Sequence, residues 1–188
     1  DKNPEDKPHL IISKYPNKYM KKVCLKDKTE ILLRPIKPED EPLWLEMFKT
    51  FSEESVRYRF FRLIKDTPHE MRTRYCNIDY DREIGIVAEL NENGKRRILG
   101  VSRMIKTPGQ DDEAEFALIV SDEWQRRGLG SVFVDFTIEV AKDKGIKTLY
   151  GTVLKDNTPM ITLCKEKNFK IESGDPGEYK IEYDLTKQ

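Results

Sequence analysis

The sequence predicts an α+β protein: a mixed, largely antiparallel sheet of about six to seven strands with helices on both faces. Three observations predict it. Apolar runs at 84–90 and 98–106 flank Asn91-Glu92-Asn93-Gly94, whose Asn-Gly ending marks a hairpin. Two strand-then-helix units follow, one after 114–120 and one after 148–154. Ahead of the hairpin, aromatic residues at helical spacing mark helices between the first strand and the rest of the sheet.

Taken in order, residues 1–8 are charged and contain prolines, as a linker would, and His9-Leu10-Ile11-Ile12 is a short apolar patch before a basic stretch, 14–22. Residues 1–28 therefore read as an arm that packs on the domain or belongs to a neighbouring module, with the domain proper at 29–188. Residues 30–36 read as the first strand. Pro38-Glu39-Asp40 opens a helix with proline and acids in its first turn, and Leu43, Trp44, Met47, Phe48 and Phe51 supply its apolar face. Ser52-Glu53-Glu54-Ser55 starts a second short helix through Phe61, and 68–76 a third. After the hairpin and a turn at Gly109-Gln110-Asp111-Asp112 come the two strand-helix units. The second helix is expected over 158–167, and strands at 169–172 and 179–185 close the domain. There is no internal repeat and no low-complexity tract.

Lys+Arg and Asp+Glu both number 34 in 188 residues, so the formal net charge is zero and no basic field points to nucleic acid. No apolar run approaches a membrane span, and the start lacks a signal-peptide core. A soluble cytoplasmic protein, trimmed from a longer chain, is the expectation. Cys24, Cys76 and Cys164 lie far apart without C-x-x-C or Cys/His metal spacing, so reduced thiols and no metal are expected.

Gln125-Arg126-Arg127-Gly128-Leu129-Gly130 joins the strand ending at Val120 to a helix whose Leu129, Val132, Phe133, Phe136 and Val140 recur at helical spacing up to Gly145. Glycines at a helix N-terminus make a place for a phosphate: the first N–H groups lack intrahelical partners, and the helix dipole favours an anion. The P-loop and the Rossmann fingerprint are both absent. The pattern Gln/Arg-x-x-Gly-x-Gly/Ala after a strand resembles the pyrophosphate loop of the GNAT superfamily of N-acetyltransferases, which use acetyl-CoA. Asn157, with Val153, Leu163, Lys165 or Lys167, and Phe169, follows the superfamily's second strand-helix unit, where the Asn contacts coenzyme A; a local turn or N-cap role is the alternative. Asn168 stands where glycine is usual and tolerates a left-handed backbone. Cys164 stands where many members carry a tyrosine acid.

The resemblance implies a GNAT-like α/β/α sandwich and cofactor contacts from Leu118, Ile119, Val120, Gln125, Arg126, Arg127, Gly128, Leu129, Gly130, Ser131 and Asn157. N–H groups along 118–120 would bind the pantetheine if that strand splays from its neighbour, leaving donors unpaired. An acceptor lysine, with an ordinary pKa of about 10.4, is protonated at neutral pH, and its neutral form lies roughly 4 to 5 kcal/mol uphill. Glu115, which interrupts an apolar strand, is the candidate base, where desolvation would raise its basicity. Glu113, on the same strand face, is the reserve. The alternative for both is a solvent-facing strand glutamate.

Pro8-His9-Leu10-Ile11-Ile12-Ser13, Leu33-Arg34-Pro35-Ile36-Lys37-Pro38-Glu39-Asp40 and Ser52-Glu53-Glu54-Ser55 leading to Arg59-Phe60-Phe61 are similar to the acetyltransferase domain of bacterial Pat-type protein lysine acetyltransferases. That likeness implies Glu115 as catalytic residue, a protein substrate such as an acyl-CoA synthetase, and, in larger members, an upstream NDP-forming acyl-CoA-synthetase-like module. Arg57, Arg59 and Arg62 are left between contacts to cofactor phosphates, an acidic partner, and plain solvated charge. A small-amine acetyltransferase and a non-catalytic acyl-CoA-sensing domain are the other readings.

Overall fold

The computed structural model describes residues 14–187. Its strands are β1 (Lys21–Cys24), β2 (Glu30–Pro35), β3 (Glu83–Glu92), β4 (Lys95–Lys106), β5 (Glu113–Val120), β6 (Thr148–Leu154), β7 (Lys170–Ser173) and β8 (Glu178–Asp184). Its helices are α1 (Glu41–Phe48), α2 (Glu53–Phe60), α3 (His69–Cys76), α4 (Leu129–Asp143) and α5 (Thr158–Glu166). The strands form one sheet in the order β1-β2-β3-β4-β5-β6-β8-β7. Every neighbouring pair is antiparallel except β5 and β6, which α4 connects.

The sheet has a core on each face. On one, Phe133, Val140 and Ala141 of α4 and Cys164 of α5 close over Ala114, Phe116 and Leu149. On the other, Trp44 and Met47 of α1 and Cys76 of α3 cover Val87, Val101 and Ile119. Trp44 is stacked between Phe48 and Tyr75, with both ring centroids 5.4 Å away.

The fold class agrees with the sequence, and the strand count is eight. The additional strand is β1. Lys21-Lys22-Val23-Cys24 carries too little apolar character to announce itself, and its strand character comes from pairing with β2. The described part of the arm packs on the domain: the Tyr15 hydroxyl donates to the Pro35 carbonyl at 2.7 Å, Tyr19 is buried, and Lys21 reaches Glu139 of α4 at 2.8 Å. Lysines on this edge also discourage a further strand from adding. The linker and apolar patch read at 1–12 lie outside the described residues.

The Ser52 side chain caps α2 by accepting the Ser55 N–H at 3.1 Å. Phe61, expected inside that helix, instead ends it in a left-handed conformation at φ 59°. Pro38–Asp40 forms a 3-10 turn, and α1 starts at Glu41. Asn168 takes φ 62°, the left-handed backbone expected of it.

Arg-Pro-Ile-Lys-Pro-Glu-Asp has a role beyond a turn. The Arg34 guanidinium, 3% exposed, holds both Asp40 carboxylate oxygens at 2.7 and 2.8 Å and reaches Glu89 at 2.6 Å. Asp40 also accepts the Lys37 N–H at 2.8 Å. Asp40 and Glu89 hold Arg34 more firmly protonated than usual, against the desolvation that opposes its charge. This network ties β2, the turn into α1 and β3 together. Removing one partner strands the others' charge in the interior, so Asp40→Ala is expected to lose about 3 to 5 kcal/mol of unfolding free energy in urea. A loss below about 1 kcal/mol would show that the network is dispensable.

Candidate active site

Strands β5 and β6 stay together for only three residue pairs, Glu113 with Thr148, Ala114 with Leu149 and Glu115 with Tyr150. Their last close approach is at Gly151, where a Cβ would lie 2.9 Å from the Phe116 carbonyl oxygen. Beyond it the strands part. β4 follows β5 to its end, through Gly100 opposite Val120. It does so with a bulge: Leu99 and Gly100 together oppose Ala88 of β3. A Cβ on Gly100 would come within 2.6 Å of the Ile119 carbonyl, so that approach requires glycine.

The register decides which groups of β5 face the wedge. Ser121 donates to Leu99 across the β4 pair, so alternate residues back along β5, Ile119 and Ala117, also turn their polar groups to β4. Phe116, Leu118 and Val120 therefore turn theirs toward β6, where no ladder remains beyond the Glu115 pair. Of the three expected pantetheine donors, Leu118 and Val120 present N–H groups to the wedge. Ile119 does not, because its backbone belongs to the β4 ladder and its side chain to the core.

The wedge leads to the start of α4. Gly128 takes φ 88° and Arg126 φ 61°. Among the described residues, none of the N–H groups of 126–131 donates to a backbone acceptor, and α4 has no side-chain N-cap. Six consecutive donors at the positive end of a helix form an anion site. Gly130 lets α4 approach α5: a Cβ there would meet Leu163 at 3.3 Å.

A groove of about 670 Å³ runs along this wedge. Leu118, Ile119, Val120, Gln125, Arg126, Gly128, Gly130, Ser131 and Asn157, all expected from sequence, line it. Arg127 and Leu129 take other positions. Arg127 stacks on Trp124, 4.4 Å from the ring centroid, and faces Asp27, while the Leu129 side chain is core. Gln125 donates to the Val120 carbonyl and to Ser55, which makes it a tie between β5 and α2. Asn157 is the N-cap of α5, its side-chain oxygen accepting the Met160 N–H at 3.2 Å.

Of the wall contributed by α2, the sequence offered Arg59 as one of three open arginines and missed Ser55, Tyr58 and Phe61. Ser55, Tyr58, Arg59 and Phe61 line the groove opposite α5. Arg57 pairs with Asp156 at 2.5 Å and the Tyr58 hydroxyl donates to the Asp156 carbonyl at 2.9 Å, so α2 bridges to the turn before α5. The available signal was the short run Arg57 to Phe61, which combines aromatic and cationic residues.

Glu115 lies just beyond the groove, next to Phe116 and Ala117. Its side chain is exposed rather than enclosed by apolar neighbours, so the burial expected from the apolar run around it is not found. Glu113 is half-buried and accepts the Thr107 hydroxyl at 3.1 Å. Cys164 is buried in the core, and desolvation pushes its thiol up to about 12.

A splayed parallel strand pair with free backbone donors, ending at an uncapped helix start, defines a protein that binds an extended ligand with a phosphate at one end. The chain belongs to the GNAT acetyltransferases: residues 30–170 match the model of the acetyltransferase (GNAT) domain. It is 27% identical to the acetyltransferase PA5475 of Pseudomonas aeruginosa over 82% of each chain. It is also 27% identical to the acetyltransferase Pat of Mycolicibacterium smegmatis, covering 68% of this chain and 38% of that protein. The crystal structure of the GNAT domain of S. lividans PAT superposes with a TM-score of 0.82 at 26% identity, over 90% of this chain and 99% of that one. GNAT domains use acetyl-CoA. The free amides at 126–131 and the Leu118 and Val120 donors suit its pyrophosphate and pantetheine. No helix among the described residues is long and apolar enough to cross a membrane, and none of their His, Cys, Asp and Glu side chains group to hold a metal.

Two outcomes are expected. Gly128→Val, at a backbone position of φ 88°, should weaken coenzyme A binding by about tenfold or more in calorimetry. Iodoacetamide at pH 8 should label exposed Cys24 and leave Cys76 and Cys164 unmodified until the protein is unfolded, because burial pushes both of the latter up to about 12.

Proposed function

We propose that this protein transfers acetyl from acetyl-CoA to a protein lysine by direct attack, with Glu115 as general base. The observation that carries the proposal is the placement of Glu115 at the point where β5 leaves β6, at the end of the groove away from the six free amides. A ligand bound by its pyrophosphate at α4 and extended along Leu118 and Val120 would bring its acyl end toward that carboxylate.

In this reading Glu115 accepts a proton from the acceptor ammonium, and the neutral amine nitrogen forms a bond to the acyl carbon as the carbon–sulfur bond breaks. An N–H of Leu118 or Val120 donates to the carbonyl oxygen as it gains charge. Direct transfer is favoured because Cys164, the thiol nearest in sequence to the groove lining, is buried and held protonated. Coenzyme A leaves as the thiolate, and the second proton shed by the attacking nitrogen reaches it through water, with no side chain assigned as the acid.

A protein acceptor is favoured over a small amine by the surface around Glu115. Ile105, its partner across the β4 ladder, is 39% exposed, and Phe61 on the groove wall is 43% exposed. These apolar side chains offer contact area to a folded surface. The likeness to domains named PAT and Pat supports the same reading. An acyl-CoA synthetase in the cytoplasm is the proposed acceptor. An upstream synthetase-like module belongs to this reading only through the resemblance to larger Pat-type proteins; the chain spans 38% of the M. smegmatis Pat and 82% of PA5475.

Glu115→Gln should lower kcat/KM for a lysine acceptor by about 10² to 10⁴ while leaving coenzyme A affinity within a factor of about two. Unchanged turnover would remove Glu115 as the base. Mass spectrometry of lysate proteins incubated with labelled acetyl-CoA tests the acceptor class: label on lysine side chains supports it, and label confined to small amines contradicts it.

A further inference from the structure

Arg59 is out of step with the other arginines. Every other arginine of the described residues that is not exposed holds a carboxylate: Arg34 has Asp40 and Glu89, Arg57 has Asp156, Arg72 has Glu41, Arg97 has Glu92 and Glu123, and Arg103 has Glu83. Arg59 is partly buried on the groove wall, and no hydrogen bond or ion pair to it is found among the described residues. Its guanidinium rests 4.9 Å from the Phe60 ring centroid. A cation held out of water without a counter-ion is costly, and desolvation is the main reason Arg59 is held less firmly protonated than usual.

The charges around it locate the missing partner. Arg59 senses Glu115, Glu83, Tyr75 and Arg103. Glu83 is already shared between Arg103 at 2.6 Å and Arg74 at 3.1 Å, and Glu115 is the exposed candidate base. Arg59 sits at the C-terminal end of α2, where Phe60 meets Tyr75 at 6.0 Å, whereas the 125–131 loop follows the far end of β5 and is tied to the first turn of α2 through Gln125 and Ser55. A cofactor phosphate bound by that loop is thus at the wrong end of the groove for Arg59.

We propose that Arg59 is a specificity residue of the acceptor site and pairs with an Asp or Glu carboxylate that the acceptor carries beside its target lysine. Glu115 then faces the lysine and Arg59 faces the acid, so the pair reads a neighbouring cation and anion with complementary charges. A guanidinium offers a bidentate fork that suits a carboxylate. This inference rests on the lysine-acceptor reading above and refines it.

The test compares two peptides that differ only in Asp or Asn next to a single lysine. Wild-type enzyme should prefer the Asp peptide by about tenfold or more in kcat/KM, mainly through KM. Arg59→Gln should reduce that ratio to near one, and Arg59→Lys should restore part of it. A wild-type ratio near one overturns the proposal whether or not the variants fold. Titration of both peptides with lysine replaced by norleucine, in the presence of coenzyme A, separates the two claims. Asp-dependent binding that Arg59→Gln abolishes supports the Arg59 assignment even if no lysine is acetylated, whereas equal turnover of both peptides sinks the assignment and leaves lysine acetylation standing. A third arm supplies succinyl-CoA. Arg59-dependent succinyl transfer without any Asp preference would place the carboxylate on the acyl group and overturn the proposal.

Discussion

The parting of β5 from β6 is the constraint on which the rest of the structure depends. A sheet buried on both faces ordinarily pairs every backbone group, and unpaired ones are costly. Here pairing stops after Glu115 and Tyr150, and the even-numbered residues of β5 beyond that point lose their ladder. The cost is tolerable because β4 keeps the other edge of β5 in register to Val120, accommodating a bulge at Leu99 and Gly100. Gly151 sets the apex and Gly100 permits the close backing. The helix that fills the crossover then begins where β5 ends, so its uncapped N-terminus opens on the same wedge. Free strand donors and free helix donors form one continuous surface.

The second face of the sheet supplies what the wedge lacks. α2 crosses the open side, tied to β5 through Gln125 and Ser55 and to the α5 turn through Arg57, Tyr58 and Asp156. Its position follows from α1, which in turn is fixed by Arg34 and Asp40 at the end of β2. A buried ion network at one edge of the sheet is thereby connected, element by element, to the wall of the groove. The helix that closes the groove also places Arg59 on its wall.

Much of this was legible in the sequence for identifiable reasons. The α4 loop announced itself because two glycines stand between an apolar strand and an amphipathic helix, and the hairpin because Asn93-Gly94 sits between apolar runs. Asn157 was read as either a cap or a cofactor contact, and the cap is seen directly. Strand β1 was hidden because its lysines obscure a pairing that only β2 confers. Ile119 could not be told from Leu118 and Val120 without the register, since a strand's sequence does not say which edge each amide faces. Glu115 reads from sequence as either a desolvated base or a solvent-facing strand glutamate, and the choice depends on how far α1, α2 and α3 extend over the sheet, which leaves it exposed. Arg127 reads as part of the loop by sequence, and the stack on Trp124 takes it elsewhere.

The central claim is that backbone groups released by the strand parting, together with the α4 N-terminus, form the coenzyme A site. Titration of the ¹⁵N-labelled protein with coenzyme A tests it most directly. The account predicts that the largest amide shifts fall on residues 126–131, Leu118 and Val120, with Ala117 and Ile119, whose amides serve the β4 ladder, moving much less. Shifts that leave 126–131 unmoved, or that appear equally along every residue of β5, would contradict it.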